Sequence, residues 1–252
     1  MKVLVVDVGG TNVKILASGV KEPVKFPSGR ELTPDKMVAG VKKIAANWQY
    51  DVVSIGVPAP FLMGQLIADP QNLGPGWVNY DFSAAFGVPV KVVNDAAMQA
   101  LGSYKGGKML FLGLGTGLGA AMVINGVAES RELARLPYKK KTYEHYAGVN
   151  AMRRLGKKAW RKNVAKIISN FVTRIHVDDV VLGGGNAKEL KKLPKGCRAG
   201  SNANAFIGGF RLWEGTSGAK SPTPRPLELL PRRQPIRSET APATKPRAKR
   251  RA

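Results

Sequence analysis

Three glycine-rich turns, each set directly behind a run of apolar residues, constrain this chain more than any other feature. Val3–Val8 runs into Gly9-Gly10-Thr11, residues 109–114 into Gly115-Thr116-Gly117, and residues 179–182 into Gly183-Gly184-Gly185. A continuous apolar run of this length reads as a buried strand. Glycine behind it permits left-handed backbone and close approach, and successive backbone N–H groups in such a turn cradle a phosphate. Apolar residues resume at once after the first two turns, which therefore read as hairpins, while the third lies between a strand and a helix, whose N-terminus could meet an anion. Any one of these turns alone reads equally well as a plain turn. Gly115, Gly117 and Ala120 fit the looser dinucleotide pattern G-x-G-x-x-A, but a strand follows where that pattern requires a helix, so a Rossmann site is excluded; the Walker lysine pattern is absent.

Between the turns, strands and helices alternate, as in α/β proteins. Further strands are expected at residues 24–26, 52–57 and 90–93, with residues 179–182 the final one. Helices are expected from the Thr33-Pro34 cap to about Trp48, over residues 96–104, and over residues 203–213. Trp160, Val164, Ile167, Ile168 and Phe171 share one helical face, with Lys158, Arg161 and Lys162 opposite. Cys197 is the single cysteine, which excludes an intramolecular disulfide and fits a reducing compartment, with the cytoplasm as the default address. The opening MKVLVVDVGG breaks at Asp7 and two glycines, so neither a signal segment nor a membrane span is expected.

The 252 residues carry 40 Lys+Arg against 17 Asp+Glu, a formal charge of +23. Residues 216–252 hold 10 basic residues, 2 Glu and 7 Pro without apolar periodicity, and read as a disordered basic tail. The remainder is still +15, so the folded body must present a positive surface and an anionic partner is expected. Charge alone does not choose among nucleic acid, anionic lipid and phosphate-rich small molecules.

Taken in order, the motifs DVGGTNVKI, SIGVPAP, VVNDAA, FLGLGTGLGAAMVING and VVLGGGNAK resemble the sugar kinases of the actin-like ATPase superfamily, and within it the ROK family, over residues 2 to 214. NLGPGW, ELARLPYKKKTYE and NANAFIGGFRLWE look most like its polyphosphate-glucokinase branch. The resemblance implies an α/β, ribonuclease H-like fold of two domains, 1–94 and 95–215, hinged about a cleft in which sugar and phosphoryl donor meet, with the tail 216–252 outside it.

The site roles follow from that resemblance together with the chemistry of the residues. Asp95, at a strand end, is expected to be the general base that takes the proton of a sugar hydroxyl as it attacks a terminal phosphoryl group. Asn94-Asp95 read without the resemblance is a helix cap. Asn94, Asp95, Glu132, Arg135 and Glu144 are expected to bind the sugar; Asn72 and Trp77 are candidates to line its pocket. Asp7, Gly9, Gly10, Thr11, Lys14, Gly115, Thr116, Gly117, Gly183, Gly184 and Gly185 are expected around the donor, with Asp7 holding Mg²⁺ through water. One departure stands out: where the family has His after the glutamate, in E-L-A-H, this chain has Arg135, which either pairs with Glu132 or meets an anionic substrate group. The family's cysteine cluster is missing, and no structural zinc is expected.

The donor is expected to be polyphosphate or ATP. Lys139-Lys140-Lys141, Arg153-Arg154, Lys157-Lys158, Arg161-Lys162 and Lys188, Lys191, Lys192 and Lys195 are dense enough to form a track for an extended polyanion, and a merely soluble basic surface is the plainer reading. Phosphorylation of glucose at its 6-hydroxyl is the expected activity, with an ATP-only glucokinase or a kinase of another hexose as the alternative. A non-catalytic sugar or polyphosphate binder is the reading from another class, and a sugar-responsive repressor would need a helix-turn-helix ahead of the first strand, for which there is no room. The tail adds non-specific contact with polyanions, and a homodimer is the family habit.

Overall fold

Residues 1–201 and 203–214 are described in the computed structural model, and most of their strands fall into two five-stranded sheets of one design, with two two-stranded hairpins besides. The expected basic tail lies outside the described residues. In the first sheet, β1 (Val3–Val8), β2 (Asn12–Ala17) and β3 (Val24–Pro27) are antiparallel neighbours. Helix α1 (Pro34–Ile44) then returns the chain to β4 (Val52–Val57), parallel to β1. A small hairpin, β5 (Phe61–Leu62) and β6 (Gln65–Leu66), and the short helix α2 (Phe82–Phe86) precede β7 (Val90–Asn94), which pairs parallel with β4 at the sheet edge.

After α3 (Asp95–Ser103) the pattern repeats. β8 (Lys108–Leu114), β9 (Leu118–Ile124) and β10 (Val127–Ser130) are antiparallel neighbours, β13 (Asp179–Gly183) lies parallel on the other side of β8, and β14 (Cys197–Ala199) parallel beyond it. The intervening chain forms the hairpin β11 (Pro137–Tyr138) and β12 (Lys141–Thr142), then α4 (Tyr143–Ala147) and α5 (Val149–Ile175). Because both sheets run in the same strand order, the turns after β1 and after β8 occupy equivalent positions.

The elements form where local chemistry asks for them. Thr33 accepts a bond from the Lys36 N–H at 3.4 Å and Pro34 opens α1, a cap contributing about 1 kcal/mol. β1 and β4 are buried along their whole length, as befits strands covered on both faces. The apolar stripe of α5 is buried as expected. Gly156, at φ 75°, breaks that helix in two, a backbone state that glycine adopts at little cost.

The last helix, α6 (Asn204–Arg211), packs on the first sheet. Phe206 and Trp213 join Val3, Val5, Val52 and Met98 in one apolar cluster. Buried Ser54 on β4 donates to the Gly209 carbonyl at 2.6 Å and accepts from the Trp213 indole N–H at 2.9 Å, so the polar atoms of this contact are paired. Two expectations are corrected. β13 is not the final strand, because β14 adds to its edge through three residues too short and too polar to show a period. The third glycine turn leads into a single 3-10 turn, Ala187–Glu189, because Leu190 and the following lysines run into Pro194; no helix N-terminus is presented there. Among the described residues, no helix is long and apolar enough to cross a membrane.

Candidate active site

A cleft of about 290 Å³ opens between the two sheets. Gly9 and Gly10 from the first turn, Gly115, Thr116 and Gly117 from the second, and Gly184 from the third line it, together with Asn94, Asp95, Glu132, Arg135 and Glu144. Three turns separated by up to about 170 positions therefore share one cavity with all five residues expected at the sugar. A larger depression, about 700 Å³, lies among Lys42, Trp48 and Tyr50 beneath the first sheet, away from these groups.

Asp95 opens α3 directly behind β7. Asn94 is the cap of that helix: its carboxamide oxygen accepts from the N–H groups of Ala96 at 2.9 Å and Ala97 at 3.2 Å, and its nitrogen donates to the Ala59 carbonyl at 2.9 Å. Asn94 thus fixes the direction of α3 and ties it to the Pro58-Ala59-Pro60 segment, which also lines the cleft. Asp95 accepts one bond, from the Ala96 N–H at 2.8 Å. Burial pushes its carboxyl up to about 7, the negative charge of Asp7 adds to the rise, and backbone hydrogen bonds oppose it. A carboxylate with a pKa near neutrality is suited to take up a proton at physiological pH.

Asp7 is itself buried on β1, outside the cleft lining, and its Oδ2 lies 3.2 Å from the Lys14 ammonium. Lys14 and Thr11 do not line the cleft either; Thr11 instead accepts the Ser28 N–H at 3.0 Å through its carbonyl, and Ser28 donates its hydroxyl to the Gly9 carbonyl. Ser28 therefore braces the first turn. Asn186 does the same for the second, donating its side-chain N–H to the Gly115 carbonyl at 2.8 Å and its backbone N–H to Leu114 at 2.9 Å. Gly183 ends β13 buried and Gly185 is exposed. Ser28, Asn186 and Gln99, which also lines the cleft, carry no sequence signal of their own, although Asn186 sits within VVLGGGNAK.

Glu132 and Arg135 form an exposed ion pair at 3.4 Å, one 3-10 turn apart. Glu144 faces the second turn so closely that a Cβ on Gly117 would strike its carboxylate. The N-terminus of α5 closes on the same turn, with Val149 N–H donating to the Thr116 carbonyl at 3.1 Å. Asn72 lines the cleft, whereas Trp77 is core: it is 1% exposed, packs against Phe82, and does not line the cleft. Its apolar ring was better served by α2 than by the cavity.

Some of the basic residues contact one another's segments. Lys157 pairs with Glu189 at 2.8 Å, Arg161 donates to the Glu189 carbonyl, and Lys139 reaches Asn163 at 3.0 Å while lying over the rings of Tyr138 and Tyr146.

Residues 3–130 match the ROK family. The fold is similar to that of inorganic polyphosphate/ATP-glucomannokinase from Arthrobacter sp. strain KM, with 22% identity, a TM-score of 0.70, and coverage of 82% of this chain and 96% of that one. It is also similar to a ROK family glucokinase from Streptomyces griseus solved with glucose and AMPPNP, at 16% identity and a TM-score of 0.64, over 84% of this chain and 99% of that one. By sequence the chain is 29% identical over 147 residues to the bifunctional enzyme NanE/NanK of Brucella melitensis, a stretch that is 49% of this chain and spans only 27% of that relative's length. The architecture is thus the α/β, actin-like fold of ROK sugar kinases.

Proposed function

Because the chain belongs to the ROK family, we propose that it is a hexose kinase, transferring a phosphoryl group from polyphosphate or ATP to the 6-hydroxyl of glucose with Asp95 as general base. The observation that carries this reading is the placement of Asp95, its carboxyl raised to about 7, in a cavity walled by all three glycine turns. Phosphoryl transfer asks for positioning and charge stabilisation more than for covalent help. Asp95 accepts the hydroxyl proton, while the backbone N–H groups of the turns face the donor's oxygens. Glu132 and Glu144 accept hydrogen bonds from sugar hydroxyls, and Asn94 keeps one side-chain N–H free for the same purpose.

Mg²⁺ fits the carboxylates present. Among the described residues, no group of three or more His, Cys, Asp or Glu converges on one point, and Mg²⁺ is characteristically held by one or two carboxylates with waters and substrate phosphates. Asp7, with one oxygen not engaged by Lys14, would hold it through water, beside Asp95. When bound, the ion neutralises charge on the donor's phosphates.

The contacts of Lys157 and Arg161 with Glu189, and of Lys139 with Asn163, bring basic stretches of residues 139–141 and 188–195 to α5, which supports polyphosphate as donor. The Arg135–Glu132 pair favours a second reading, a sugar site altered towards another hexose or towards binding alone, because it occupies a carboxylate needed for the hydroxyls.

The test is formation of hexose 6-phosphate from glucose and Mg²⁺, with polyphosphate and ATP in separate reactions and Asp95→Asn beside the native protein. Product that disappears in Asp95→Asn supports the kinase reading, and the productive donor identifies itself. No product with either donor from folded protein overturns it in favour of the second reading.

A further inference from the structure

A second cavity, about 580 Å³, adjoins the cleft and shares two wall residues with it, Asn94 and Glu132. It lies where the free edges of the two sheets, β7 and β10, approach one another over α3. Val92 and Val93 supply one side, Val127 and Ala128 the other, and Ala97 of α3 the floor. The β5–β6 hairpin overhangs it. Three of its apolar side chains stand out to solvent: Met63 is 82% exposed, Val127 64% and Leu62 51%. Its size falls within the usual range of small-molecule sites, roughly 300–1,000 Å³. A chain this rich in charge has no need to leave so many large apolar groups together at the mouth of a polar cleft unless they meet a ligand.

We propose that this cavity is an extension of the acceptor site, taking an apolar substituent, aryl or alkyl, carried by the sugar. The inference rests on the hexose-kinase reading above. In that reading the reacting hydroxyl sits at Asp95, and Glu132 grips the sugar from the other lobe. Whatever the sugar carries beyond Glu132 passes into the second cavity, since Glu132 and Asn94 are the partition between the two. The Glu129 and Arg131 side chains at the rim are paired with each other at 2.6 Å, and hydrocarbon from Leu62, Val92 and Val127 lies beside the polar Asn94, Ser130 and Glu132. Burying a phenyl-sized group against it is worth about tenfold or more in affinity. The Arg135–Glu132 ion pair fits the same picture: a site that has lost part of its grip on hydroxyls regains affinity from hydrocarbon contact.

The experiment compares glucose with phenyl α-D-glucoside and phenyl β-D-glucoside as acceptors for the full chain, using whichever donor is productive, and repeats the comparison in the double variant Leu62→Asn, Val127→Asn. Both replaced side chains are largely exposed, so folding should be retained, and neither touches the phosphoryl-transfer machinery. The expected result is a KM for at least one phenyl glucoside about tenfold below that for glucose, with the advantage lost in the double variant while kcat/KM for glucose is unchanged. Two phenyl glucosides no better than glucose, or a variant that weakens glucose equally, would overturn the inference. Equilibrium dialysis of the same three sugars separates the two readings: a phenyl preference abolished in the double variant sustains the second site even when no product forms, whereas absence of turnover alone counts against the kinase. Sedimentation of native protein as a dimer that the double variant dissociates would assign the patch to a second copy of the chain and likewise overturn the inference.

Discussion

Asp7 and Lys14 stand directly opposite one another across the β1–β2 pair, and their side chains meet at 3.2 Å. The lysine that the motif suggested for the donor is thereby engaged by a buried carboxylate on the neighbouring strand. Lys14→Met leaves Asp7 without its partner in a poorly solvated position, and should lower stability by about 1–2 kcal/mol, the half-exposed lysine moderating the loss. Urea unfolding of Lys14→Met and Lys14→Arg decides this: the arginine should retain most of the stability, and equal midpoints for native and Lys14→Met would dismiss the pairing as unimportant.

With Asp95 as the proposed base, its raised carboxyl sets the pH dependence expected of the reaction. The base works only when deprotonated, so kcat/KM should climb with unit slope below about pH 7 and level off above it. The same shift has a stability counterpart. Between the unfolded value, 3.8, and about 7 the native state holds a proton that the unfolded chain has released, so this group's stabilising contribution is complete below the lower value and is lost as pH rises through the upper one. Asp95→Asn should melt close to native near pH 4 and above it at pH 8. A variant destabilised at pH 8 would contradict the burial argument.

Exposed ion pairs contribute little to stability, so replacing Arg135 should be felt in substrate binding alone. Arg135→His frees the Glu132 carboxylate and places at this position the residue seen in the family pattern. A KM for glucose lowered several-fold with an unaltered melting temperature is expected, read from initial rates at fixed donor. An unchanged KM would show that the pair does not compete with sugar.

Lys158 and Lys162 project from the outer side of α5 and are exposed. Reversing both, Lys158→Glu with Lys162→Glu, should raise the KM for long-chain polyphosphate by about tenfold or more and flatten its salt dependence, leaving the KM for ATP within about twofold. Equal effects on both donors would remove the extended track.

Helices α3 and α6 touch backbone to backbone. A Cβ on Gly208 would strike the Met98 carbonyl, and one on Gly102 would strike Asn204. Backbone cannot swing aside as a side chain can, so Gly208→Ala should cost on the order of 3 kcal/mol, seen as an earlier unfolding midpoint. Gly117→Ala makes the contrast. There the obstacle is the flexible end of Glu144, so stability should hold while the KM for sugar rises.

The parts of the fold legible beforehand are those with a strong period. β1, β4 and β8 are dominated by apolar residues, and the stripe from Trp160 to Phe171 repeats at helical spacing. β14 and the hairpins β5–β6 and β11–β12 have two or three residues each, too few to show any repeat. Within the cleft, Asp95 and the glycine turns were visible because their chemistry is local to a strand end. Ser28 and Asn186 were not, because their work is to hold another segment's carbonyl, and such a partnership exists only once the chain has folded. Trp77 illustrates the reverse error: an aromatic beside a candidate motif suggested a ligand, and packing against α2 claimed it.

The return of α6 to the first sheet also has a consequence for biosynthesis. Val3, Val5 and Val52 are made well before Phe206 and Trp213, which pack in one cluster with them. The first sheet therefore lacks part of the cover on one face until α6 has been made. Throughout elongation, that face is available to chaperones, and to other nascent chains, until α6 arrives to displace them.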